Sequence, residues 1–102
     1  MQISLKEIEE FLKEKTDDAK LLATQKRISG PMIQDYHKKL GEGKIPPPIK
    51  IENNLIIEGH HRYLAGMIFG KLPESIPWTA PFSVDKIFWK EIIVDEIDWR
   101  DP

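Results

Sequence analysis

The sequence predicts a small α+β domain in which a short mixed sheet packs against about three helices. Three observations carry this: a capping box at Ser4 opening an amphipathic segment, a Gly30-Pro31 start to a second one, and two short apolar runs around Asn53-Asn54 that lead into a glycine-started helix. At 102 residues, with 40% hydrophobic and 31% charged content, the chain suits one folded domain with a single modest core.

Ser4-Leu5-Lys6-Glu7 has capping-box spacing, and Ile3 and Ile8 stand where a hydrophobic staple would place them. A first helix from Leu5 to Glu14 follows, with Leu5, Ile8, Phe11 and Leu12 on its apolar stripe. Thr16-Asp17-Asp18 reads as a break, and Lys20 to Ala23 is compatible with a return to helix. Pro31 suits the first position of a second helix, whose buried face is Met32, Ile33, Tyr36 and Leu40 and whose end is Gly41 and Gly43. The same helix turns His37 and the Lys38-Lys39 pair toward solvent.

Lys44-Ile45-Pro46-Pro47-Pro48 is an extended lead, because each proline removes a backbone donor and disfavours helix in its predecessor. It runs into a strand, Ile49 to Ile51, which Asn53-Asn54 turns back into Leu55 to Ile57. Gly59 then bends the chain into a third helix, His60 to Phe69, capped by Gly70, with Leu64, Ala65, Ile68 and Phe69 as core contacts. Ile76 to Trp78 is extended, Thr79 to Lys86 a loop, and Ile92 to Val94 a closing strand before the Ile97-Asp98-Trp99 tail.

Composition excludes several functions. The chain has no cysteine, which removes disulfides, thiolate metal sites and thiol nucleophiles. A net charge of -2 disfavours nucleic acid as the main partner, since such binders carry a strongly basic face. No apolar stretch is long enough for a membrane span, and no signal-peptide core is visible, so the cytoplasm is the expected compartment.

The most informative segment is Glu58-Gly59-His60-His61-Arg62, which puts donor and basic side chains on the first turn of a helix. Helix N-termini ordinarily prefer carboxylates, because their free N–H groups and the macrodipole are electropositive. A phosphate on the N–H groups after Gly59, closed over by Arg62 and one histidine, would resolve the mismatch. Adjacent histidines point about 100° apart on a helix, so a metal triad of Glu58, His60 and His61 is disfavoured. The three tryptophans are read as core packing and tail anchoring rather than as a base-stacking platform.

These residues resemble a known superfamily. The proline-led strand Ile45 to Ile51, the strand Leu55 to Ile57, the Gly59, Arg62, Ala65 spacing, then Gly70 and Ile76-Pro77 look like the ParB/sulfiredoxin-like domain. The match runs from about Thr24 to Trp78, which divides the chain into a helical extension, residues 1–23, and the domain proper, residues 24–102. The resemblance implies a cradle for a nucleoside phosphate, ATP, ADP or CTP, accompanied by magnesium. Gly59, His61 and Arg62 would hold phosphate, and Lys26 and Arg27 match basic residues that reach nucleotide phosphates in related proteins.

The chain departs from the family in one respect that bears on activity. Sulfiredoxins place a catalytic cysteine before the histidine-arginine-tyrosine step; here His60 stands there, ahead of His61-Arg62-Tyr63. Sulfinic acid reduction by that route is therefore excluded. Glu58 and His60 are left as the candidates for chemistry, with phosphohydrolase or phosphotransfer activity open, and Gln25 and Ser29 as further hydrogen-bonding groups. Similar short domains at the tails of bacterial toxins give the alternative of a metal-assisted nuclease, with an immunity protein as partner. A non-catalytic regulatory module is the third reading.

Overall fold

A computed structural model describes residues 2–80 and 83–100, so residues 81 and 82 of the predicted loop lie outside the described part. The fold is α+β, with three α-helices and two small sheets among the described residues. The elements in order are α1 (Leu5–Glu14), β1 (Arg27–Ser29), α2 (Gly30–Gly41), β2 (Ile49–Glu52), β3 (Leu55–Glu58), α3 (His60–Phe69), β4 (Ser75–Pro77), a 3-10 turn (Trp89–Glu91) and β5 (Ile93–Asp95).

Helix α1 has the predicted limits, and its capping box is formed: Ser4 Oγ accepts from Glu7 N–H, and Glu7 accepts from Ser4 N–H, both at 3.1 Å. Ile8 and Leu12 drop into the core. Helix α2 begins at Gly30, so Pro31 takes the second helical position rather than the first, and Ser29 is the cap, accepting from Met32 N–H at 3.3 Å. A serine ahead of Gly-Pro is a normal cap signal.

Strands β2 and β3 pair antiparallel across Asn53-Asn54, with Asn53 in the left-handed region at φ 55°, a conformation asparagine tolerates. Strand β4 adds parallel on the other side of β2, giving the order β3-β2-β4. A second, two-stranded sheet is parallel β1-β5, pairing Ile28 with Val94.

Three expectations are corrected. Lys20 to Ala23 is not helical: Leu22 bridges Leu55 and Ala23 bridges Ile87, because these apolar residues bury better against strand edges than in an isolated turn. Phe69 is 40% exposed, resting edge-on against His37 rather than in the core; the inward face of α3 is His60, Tyr63, Leu64 and Ala65. The closing strand lies one residue later than expected, at Ile93–Asp95, because Ile92 ends the 3-10 turn.

Trp89 is the largest fully buried side chain. Its ring stacks on Tyr63 at 5.8 Å and meets His60 edge-on at 6.4 Å, while Nε1–H donates to Leu21 O at 2.8 Å. Trp89→Phe keeps an aromatic body but leaves a void and an unpaired carbonyl, at an expected cost of about 2 kcal/mol. Urea unfolding measures it; a loss under about 0.5 kcal/mol would mean the contact is not a core anchor.

Candidate functional site around the Gly59 turn

The site is built where β3 hands the chain to α3. Gly59 sits at φ +107°, ψ 27°, a left-handed conformation that lets the strand turn directly into the helix. A Cβ there would lie 2.4 Å from Ile49 Cγ2 and 3.1 Å from Arg62 Nη2, so glycine also makes room for both neighbours. In contrast to α1 and α2, no side chain caps α3; like α2 and unlike α1, it carries no acid in its first turn.

Arg62 folds back beside this turn, with its side chain only 12% exposed. Nη1–H donates to Pro47 O and Pro48 O, both at 3.1 Å. The prolines explain these acceptors: an extended proline run makes no internal hydrogen bonds, so its carbonyls are free. Both are neutral. The nearest carboxylate, Glu58, is 60% exposed, 3.6 Å from Arg62 and also 3.4 Å from Lys50, so one negative charge is divided between two cations. A largely buried guanidinium at an electropositive helix start is thus only partly compensated.

The histidines face the other way. His60 is 4% exposed, and its Nε2 accepts from Thr24 N–H at 2.9 Å. The Thr24 hydroxyl beside it donates instead to Ile56 O at 2.6 Å. His61 Nε2 accepts from Ser29 N–H at 2.9 Å, and its ring meets Trp99 edge-on at 5.2 Å. Accepting at Nε2 assigns the proton to Nδ1 in each neutral ring. Burial pushes His60 down to about 4, with His61 adding to the effect; burial also pushes His61 down to about 4, with Arg100 adding.

The structure thus places His60, a candidate for chemistry, in the core rather than at the mouth of the turn. A general base needs an accessible lone pair directed at substrate, and that of His60 is committed to the backbone. His61 likewise holds β1 rather than projecting over the helix start. Ser29 is also fully used, its hydroxyl capping α2 and donating to Ile97 O at 2.8 Å.

The two histidines do something the sequence did not suggest: they tether the chain at Thr24 and Ser29, so the segment between, with Lys26 and Arg27 exposed on it, runs alongside the α3 start. Gln25 braces it from within, donating to Arg27 O at 2.7 Å. Sequence reasoning missed Thr24 and Trp99, which contact the histidines of the turn only in the folded chain, and Arg100, whose charge acts on His61 from the tail. For Trp99 and Arg100 the one sequence signal was the aromatic-charged tail itself; Thr24 gave none.

For magnesium, the turn offers a single carboxylate among the described residues, Glu58. Among the described residues no group of three or more His, Asp or Glu is gathered to hold a metal ion. Magnesium fits only as an ion carried by phosphate oxygens and water, with Glu58 as its one protein ligand. No helix among the described residues is long and apolar enough to cross a membrane. Comparison with protein-family models, with curated proteins and with solved structures finds no match to this chain.

Proposed function

We propose that this chain is a ParB/sulfiredoxin-like domain that binds a nucleoside di- or triphosphate at the Gly59–Arg62 turn and holds it rather than turning it over. One observation carries the reading: a mostly buried Arg62, compensated by two neutral carbonyls and one shared carboxylate, stands at an uncapped, acid-free helix start. A phosphate there would accept from the free N–H groups and from the guanidinium together. Lys26 and Arg27, on the segment tethered by His60 and His61, supply further positive charge. Binding without turnover is favoured because both histidine lone pairs are committed to backbone N–H groups. The same commitment weighs against a nuclease, which needs a free base or metal ligand at this turn.

Calorimetry with ATP, ADP, CTP and GTP, with and without magnesium, is the test. Micromolar binding is expected for at least one nucleotide, and Arg62→Ala is expected to weaken it by at least about 30-fold. Circular dichroism on the variant separates lost binding from lost fold. Absence of heat with all four nucleotides would sink the proposal.

A further inference from the structure

A pocket of about 300 Å³ opens between the C-terminal half of α2 and the Lys44–Pro47 segment. We infer that it is a separate binding site for a small organic anion carried on a flat apolar body. The volume lies at the lower end of the range for ligand sites. Its charged lining is all of one sign, Lys39, Lys44 and Arg62, joined by the Tyr36 phenol, in a chain whose net charge is -2.

The carboxylates that answer these cations lie outside the pocket, and two are shared. Asp35 is 2.9 Å from Lys39 and also 2.9 Å from Arg100, and Glu58 is divided between Arg62 and Lys50. Glu42 reaches Lys44 at 3.5 Å, but both side chains are well exposed, a weak arrangement. Positive charge therefore faces the cavity.

The apolar half is preformed. Pro47 has a fixed φ, and Arg62 pins its carbonyl, so this wall needs little ordering on binding. Ile45 on the rim is 83% exposed, a large aliphatic side chain that the fold itself leaves uncovered. A flat ring laid on Ile45 and Pro47 would cover it while placing its anionic group toward Lys39 and Lys44. An inorganic anion would lack the body, and a cation of the same body would meet like charge.

The site is independent of the nucleotide reading and shares only Arg62 with it, so the test leaves Arg62 intact. Amide chemical shifts are titrated with 2-naphthoate, with 2-naphthylmethylammonium and with inorganic phosphate. Naphthoate is expected to shift the Lys39, Leu40, Lys44 and Ile45 amides with a dissociation constant on the order of 0.1–1 mM, the other two probes leaving those amides unmoved. Lys44→Glu is expected to weaken naphthoate about tenfold, and Ile45→Asn several-fold. Both positions are exposed, so both variants should fold. Equal binding of the ammonium probe, shifts confined to the His60–Arg62 amides, or unchanged affinity in both variants would each overturn the inference.

Discussion

Acidification from about pH 7 to about pH 5 is expected to remove roughly 2 kcal/mol of stability for each of His60 and His61, a large part of what a domain of this size possesses. Both folded-state values are depressed, from 6.5 to about 4, chiefly by burial. The unfolded chain therefore takes up protons first as the pH falls. The stabilisation is whole above about 6.5, declines through the interval, and is lost below about 4. His37, also lowered by burial, acts in the same direction. The carboxyls of Asp35, Asp95 and Asp98 are held below 3.8, mainly by hydrogen bonds from Arg100 and Trp99, so their loss belongs to a lower pH window.

Protonation would also turn each Nε2 from acceptor to donor facing a backbone N–H, so charging and loss of the Thr24 and Ser29 tethers are one event. Urea midpoints across this range measure it. His60→Gln and His61→Gln can keep an acceptor without titrating, so each variant is expected to show a flatter dependence of stability on pH. If both variants retain the slope of the unaltered protein, the histidines are not its cause.

Gly59→Ala is expected to cost roughly 3 kcal/mol, combining left-handed backbone strain with overpacking. The methyl group would sit 2.4 Å from Ile49 Cγ2 and 2.8 Å from Ile49 Cβ, and Ile49 is itself buried in the sheet. Gly70 is a matched control: its φ is +96°, yet nothing lies within 4 Å of a Cβ there. Gly70→Ala should show only the backbone cost, about 1 kcal/mol. The difference between the two unfolding free energies isolates the close approach at Gly59, and equal costs would show that packing contributes nothing.

Whatever rests on a few neighbouring residues was legible before the fold was known. The capping box set the start of α1, Asn53-Asn54 placed the β2-β3 turn, and Gly59 and Gly70 bounded α3, because caps and turns satisfy backbone groups within a handful of positions. The acid-free first turn of α3, with its histidines and Arg62, was visible in the same way.

Which way each side chain of that turn points was decided elsewhere. His60 and His61 turn toward Thr24 and Ser29, and Arg62 toward Pro47 and Pro48. Strand β1 exists because Arg27–Ser29 finds Ile93–Asp95, a partner far along the chain, and three residues alone carry too little periodicity to announce it. The sequence by itself determined the helix ends, the hairpin and the chemistry of the residues at the turn. Only the tertiary structure decided which of them face the core as neutral acceptors and which remain charged at the helix start, because burial and long-range hydrogen bonds depend on segments that meet only when the chain is folded.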